Sequence, residues 1–223
     1  MPAAHTDERA MIEATQLLLI RHGETEWNAA ARIQGHTDIA LNSVGLAQAE
    51  ALAAALADTR IDAVYSSDLL RARQTAAPLL RGRGLTMLLD RGLRERAFGS
   101  FEGSSFAELA LHHADACERW RRRDPAFAAP GGGERLDAFY ARVTTAALRI
   151  AAAHPGGCVA LVSHGGALDC LHRCATGQQL DAPRTWVLRN AAINRVLVAE
   201  GRMTLIGWDD GAHLDAATDE ASA

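Results

Sequence analysis

The sequence predicts an α/β fold: a three-layer α/β/α sandwich built on a mainly parallel sheet, with a C-terminal β-hairpin and a small helical lid insertion. Three observations predict it. Short apolar runs of strand length recur along the chain, and segments with leucine and alanine at helical spacing separate them. "QLLLI" and "CVALVS" are apolar along almost their whole length, as strands covered on both faces require. The pattern changes at the end, where "AINRVLVAEGRMTLIGW" reads as two strands folded about Glu200-Gly201.

Taken in order, residues 1–15 read as a loose leader, and "QLLLI" follows as the first strand. "NSVGLAQAEALAAAL" carries an Asn/Ser cap and then a helical pattern. "IDAVYS" is a second strand. "DLLRARQTAAPLL" is a helix that Pro78 ends or bends. "LTMLLD" supplies a third strand, and residues 104–122 are helical and polar. Residues 98–133 are read as the lid insertion between core elements. "GERLDAFYARVTTAALRIAAAH" is a long amphipathic helix stopped by Pro155 and Gly156. "CVALVS" and the helix "GGALDCLHRCA" precede the hairpin, and residues 211–223 read as a frayed tail. No linker or internal repeat divides the chain, so residues 1–223 are read as one domain.

The bulk numbers narrow the function classes. With 223 residues, 48% hydrophobic and 22% charged, the chain has the composition of a globular protein with a sizeable core. A formal net charge of -4 argues against a broad grip on nucleic acid. No apolar run approaches the roughly 20 residues that span a bilayer. The polar start "MPAAHTDERAMIEATQ" lacks the apolar stretch of a secretory signal, and the four cysteines form no C-x-x-C pair. A cytoplasmic protein with free thiols is expected.

In doubly wound sheets ligands sit beyond the carboxyl ends of the strands, so strand exits are where chemistry is expected. Arg21, His22 and Gly23 follow the first strand. Ser66, Ser67 and Asp68 follow the second, with Arg71 one helical turn on. Glu95 follows the third, and His164, Gly165 and Gly166 follow "ALVS". Singly, each is an ordinary polar terminus or surface charge. Together, two histidines, two arginines and a carboxylate converge on one edge of the sheet.

The segments "LLLIRHGETEWN", "SSDLLRARQTA", "LRERAFGSFEG" and "LVSHGG" resemble, in order, the four signature segments of the histidine phosphatase superfamily, which includes the cofactor-dependent phosphoglycerate mutases. The resemblance implies roles. His22 would be the nucleophile that accepts the phosphoryl group, which requires a neutral ring with one nitrogen free and the other donating to a fixed acceptor, expected to be a backbone carbonyl near Gly23. Arg21 and Arg71 would fork onto the phosphoryl oxygens, and His164 would complete the cradle. Glu95 would be the acid/base residue. Such positioned cations can stabilise phosphoryl transfer without a metal. Asn28, Gly35 and Gly165 resemble substrate contacts of the family, although Asn28 equally suits a loop-bonding role, and Thr25 reads as structural.

Other signals carry less. In "WRRRDP" either Arg121 or Arg122 is a candidate substrate contact, against the alternative of a solvated face. "PGGGE" lacks the G-K-[ST] ending of a P-loop. His112-His113 and Cys170/Cys174 read as helical or surface residues and not as a metal site. Ser163 lacks the glycine two residues earlier that a nucleophile elbow demands, since Leu161 stands there.

Three functions fit the resemblance. A metal-independent phosphatase acting on a small phosphorylated metabolite, with no cofactor, is favoured. A phosphoglycerate mutase would use the same catalytic residues with 2,3-bisphosphoglycerate as primer. A non-catalytic phospho-ligand binder is disfavoured because all five catalytic-type residues are present. Mutases of the family follow the second histidine with Gly-Asn, and this chain has Gly165-Gly166. The compact stretch after "FGSFEG" also suits the phosphatase branch, whereas "WRRRDP" is similar to the paired arginines with which mutases hold a carboxylate. The edge of the final hairpin could pair in a homodimer.

Overall fold

In the computed structural model residues 13–215 are described. Of the expected leader, residues 1–12 lie outside them, and Thr15 already opens the first strand. Of the expected tail, residues 216–223 lie outside. Residues 212–215 correct the expectation, forming a helical turn from which His213 Nε2 donates to the Ala191 carbonyl at 3.1 Å.

The strands and helices follow the alternation that the apolar runs set. β1 (Thr15–Arg21) leads through the short α1 (Glu26–Ala29) to α2 (Ser43–Ala55), whose start is fixed by Asn42 Oδ1 accepting the Gly45 amide at 2.8 Å. β2 (Ala63–Ser66) is followed by α3 (Leu70–Ala76). Pro78 has no amide to continue the helix, which tightens into a 3-10 turn over Ala77–Leu80. After β3 (Met87–Leu89) come α4 (Phe106–His112), opened by a Ser105/Glu108 capping box, and α5 (Ala114–Arg121). α6 (Leu136–Ala152), β4 (Cys158–Ser163) and α7 (Gly165–Thr176) precede the hairpin of β5 (Ile193–Ala199) and β6 (Arg202–Asp210).

The six strands form one sheet in the order β3-β2-β4-β1-β5-β6. β1 to β4 run parallel, while β5 runs antiparallel to β1 and pairs with β6 as the hairpin. Side-chain alternation along the central strands creates the two outer layers. Leu17, Leu19, Val159 and Leu161 pack toward α6 and α7 with Val143, Ile150 and Leu168. Leu18, Ile20, Ala160 and Val162 pack the other way, against Leu52 of α2, Leu56 at its C-cap, and Ala72 and Ala76 of α3. A third, smaller core gathers Ile33, Phe101, Leu109, Cys117, Phe127 and Ala129, and it carries most of the 98–133 segment. None of the helices described is long and apolar enough to cross a membrane.

Candidate active site

The register of the parallel strands brings the two histidines together. Arg21 pairs with Ser163 across β1 and β4, and the His22 amide donates to the Ser163 carbonyl at 2.9 Å. One residue beyond each strand, the His22 and His164 rings stand 5.2 Å apart edge to face, both buried. Ser66 pairs with Val162 on the other side of β4, so Ser67 reaches His164 and its Oγ lies 2.8 Å from Nε2.

The state of the His22 ring follows from its partner. Its Nδ1 lies 2.7 Å from the Gly23 carbonyl, which can only accept, so Nδ1 carries the proton and Nε2 keeps its lone pair. Burial, and then the Arg71 and Arg21 charges, push its pKa well below the ordinary 6.5. Burial and Arg71 act on His164 the same way. Both rings are therefore neutral at neutral pH.

Arg71 has no exposed surface. Its Nη1 and Nη2 donate to the Thr37 and Gly35 carbonyls at 2.9 and 2.8 Å, which fixes the guanidinium plane and leaves Nε buried without a partner. Burial lowers its pKa to about 10, so it stays cationic. Arg21 is held by donation from Nη1 to the Leu188 carbonyl at 2.7 Å, and its Nε is likewise buried and unpartnered. His164 Nδ1 is a third such atom. Buried polar groups in folded proteins nearly always find partners. Three orphaned nitrogens around one histidine make a cradle for an anion.

Glu95 faces this cradle from the segment after β3. Its Oε2 accepts the Gly166 amide at 2.9 Å and its Oε1 accepts the Arg96 amide at 2.8 Å. Arg142 of α6 holds the Glu95 carbonyl at 3.2 Å together with the Gly92 and Arg94 carbonyls. His36 Nε2 donates to the same Glu95 carbonyl at 2.8 Å. The carboxylate is thus placed by its backbone neighbours, and its end points into the open space.

That space is a cavity of about 360 Å³ lined by Arg21, His22, Asn28, Gly35, Arg71, Glu95 and Gly165, seven of the ten site residues expected from the sequence. His164 is not among the lining residues, and its ring centroid lies 5.2 Å from that of His22. Asn28 spends its Oδ1 on the amide and hydroxyl of Thr25, both at 3.1 Å, in a capping box that also gives Thr25 the structural role expected of it. Gly35 adopts φ +53°, where a Cβ would fall 2.1 Å from Glu102 Oε1, and this turn presents its carbonyl to Arg71.

Arg121 and Arg122 stand outside this cavity, Arg121 lining an adjoining one instead. Both are exposed and pair with Glu118, at 3.2 and 2.6 Å, one helical turn back on α5. Neither lines the cavity; three consecutive helical residues diverge, and the nearest carboxylate claims these two. The outer cation is Arg184, from the loop between α7 and β5. Sequence reading also missed the aromatic wall of Trp27, Phe98, Phe106 and Trp120. Its signal was compositional: four of the five phenylalanines fall between residues 98 and 127, in a chain only 5% aromatic.

With this geometry in view, the comparisons with known proteins agree with one another. The family model described as histidine phosphatase superfamily (branch 1) matches residues 17–211. A metal-independent phosphoserine phosphatase of Arabidopsis thaliana is 37% identical over 210 residues, 93% of this chain and 87% of that one. Phosphoglycerate mutase-like protein 4 of the same plant is 36% identical over 207 residues, 92% of this chain and 89% of its own length. The structure of Bacillus stearothermophilus YhfR superposes with a TM-score of 0.82 at 30% identity, covering 90% of this chain and 99% of that one.

Proposed function

The chain belongs to the histidine phosphatase superfamily, and from that premise we propose that it is a metal-independent phosphatase of small phosphomonoesters that works through a phosphohistidine at His22. The observation that carries this reading is the fixed tautomer of His22, neutral at working pH and surrounded by buried cationic nitrogens with nothing to bind.

In this reading the phosphoryl group enters between Arg21, Arg71 and His164, whose free N–H groups replace its water. His22 Nε2 attacks phosphorus in line as the P–O bond to the leaving group breaks. Glu95 gives its proton to the departing alkoxide oxygen. The phosphoramidate then meets water. Glu95 takes a proton from it, the hydroxide oxygen bonds to phosphorus, and the electron pair of the P–N bond returns to Nε2. The Gly23 carbonyl holds Nδ1–H throughout, so the ring regains its starting tautomer. Charge on the equatorial oxygens meets two guanidinium groups already in place, and their placement costs no reorganisation at the moment of transfer.

The mutase alternative shares these steps as far as the phosphoenzyme. There, 2,3-bisphosphoglycerate would charge His22, and the phosphoryl would return to bound product. The relative named phosphoglycerate mutase-like keeps that reading in play. Gly166 weighs against it, because the mutases that this sequence resembles carry asparagine at that position.

A phosphate-release panel over small phosphoesters, run beside a mutase assay primed with 2,3-bisphosphoglycerate, tests the choice. Hydrolysis is expected to exceed mutase turnover, to survive EDTA, and to pass through an acid-labile phosphoenzyme. His22→Ala should abolish both the turnover and the phosphoenzyme. Mutase turnover well above hydrolysis, or loss of activity on chelation, would overturn the assignment.

A further inference from the structure

A second cavity, of about 620 Å³, adjoins the first, and the two share Phe106, Trp120 and Arg184 as a common wall. Its remaining lining is largely apolar, with Ala107, Ala110, Cys117 and Pro183. The aromatic part of the wall is ordered. Trp120 stacks on Phe98 with ring centroids 4.5 Å apart and planes within 9°, and Phe106 meets Trp120 edge to face at 4.9 Å. Phe106 nevertheless keeps 53% of its surface exposed, so packing inside the protein leaves one of its faces uncovered.

The cations here are unequal. Arg121 is paired with Glu118 and Arg123 with Asp169, at 3.2 and 2.5 Å. Arg184 has neither a hydrogen bond nor an ion pair among the described residues. Its charge is felt by Arg21 in the first cavity, while its side chain borders both. A guanidinium that lines the same cavities as two aromatic rings is suited to cover a third.

We infer that the second cavity receives the leaving-group portion of the substrate, and that the substrate class is phosphate monoesters bearing an aromatic or similarly flat apolar body. The phosphoryl group would sit at His22, and the body would extend along the residues the two cavities share, against Phe106, Trp120 and Arg184. A small polar acid such as phosphoserine would leave this chamber empty. This inference rests on the phosphatase reading of His22, and it assigns Phe106, Trp120 and Arg184 to specificity. Binding of the remote body would be spent on positioning the reacting end, so the preference should appear in kcat/KM.

The test compares 3-phenylpropyl phosphate with propyl phosphate, whose leaving groups are chemically alike. Burial of a phenyl ring against these walls should raise kcat/KM roughly 10–100-fold for the aromatic ester. Two exposed positions probe the chamber without touching a core: Phe106→Ala removes a wall, and Ala110→Trp fills the space. Each should bring the ratio of the two esters to within about threefold of unity, with melting curves confirming the fold. Calorimetric binding of both esters to His22→Ala separates the two claims. A binding preference without turnover by the unmodified enzyme would support the chamber and overturn the phosphatase reading. Turnover of both esters at equal kcat/KM would overturn the chamber and leave the phosphatase reading standing. A preference that neither variant alters would also overturn it.

Discussion

At Gly166 a missing side chain makes room for the Glu95 carboxylate, the proposed acid/base. A Cβ built there would lie 2.3 Å from Glu95 Oε1, while the Gly166 amide donates to the other oxygen of the same carboxylate at 2.9 Å. The obstacle is the end of a flexible side chain, so a larger residue would displace the carboxylate and spare the backbone. Gly166→Ala is therefore expected to lower kcat/KM by roughly 10²-fold, the scale of a misplaced catalytic group. Its melting temperature should be unchanged or raised, because alanine suits a helix better than glycine by up to about 1 kcal/mol. Steady-state kinetics and a thermal melt on the same preparation check both halves. A parallel loss of stability would show that the glycine serves packing instead. That His22, Arg21, Arg71 and Glu95 would gather at one cavity was legible because each lies beyond the end of an apolar run visible in the sequence. The Gly166 contact was not, since it depends on where a carboxylate 71 positions away turns its end.

At the scale of elements, Asp169 of α7 ties three segments together. Its Oδ2 receives Arg173 Nε at 3.0 Å and Arg123 Nη2 at 2.5 Å. Arg123 follows α5 in the left-handed region, φ +55°, and also donates to the Leu180 carbonyl at 2.7 Å. Arg173, fully buried, donates from Nη1 to the Gln179 carbonyl at 2.5 Å and lies over the Trp186 ring. One carboxylate thus joins the end of α5, the body of α7 and the loop that carries Arg184. Asp169→Ala would leave the Arg173 charge uncompensated inside the protein and is expected to cost about 3–5 kcal/mol of unfolding free energy. Urea denaturation measures it, and a loss below 1 kcal/mol would contradict the assignment. Helices and strands were readable here from period and caps, but this junction was not. Arg184 sits in a segment with no period, and the conspicuous charges of "WRRRDP" pointed to Arg121 and Arg122, which Glu118 neutralises. The Glu-x-x-Arg-Arg spacing was the available warning.

Over the whole molecule, the buried neutral histidines couple the site to folding. The folded pKa values of His22 and His164 lie well below 6.5, with burial the leading cause in each. The unfolded chain takes up these protons near pH 6.5 and the folded protein does not. Stability from this source is therefore complete above about pH 6.5 and declines as pH falls toward the depressed folded values, by up to about 1.4 kcal/mol per pH unit for each group. His172 and His213, also lowered by burial, add to the same slope. Urea midpoints measured between pH 5.5 and 6.5 should fall with decreasing pH, and His22→Asn should remove up to one group's share of that slope. An unchanged slope in the variant would contradict the coupling. The layered architecture itself was plain in the sequence, because β1 and β4 are apolar at alternate positions on both faces and can only be central.

The small core of Ile33, Phe101, Leu109, Cys117, Phe127 and Ala129 is separate from the two clusters that flank the sheet. The residues proposed to react are mounted on one foundation, while Phe98 and Trp120 of the aromatic wall rest on another. On the proposed reading, descendants of this chain could consequently change what they accept, one substitution at a time, without disturbing the bond-breaking apparatus they inherit.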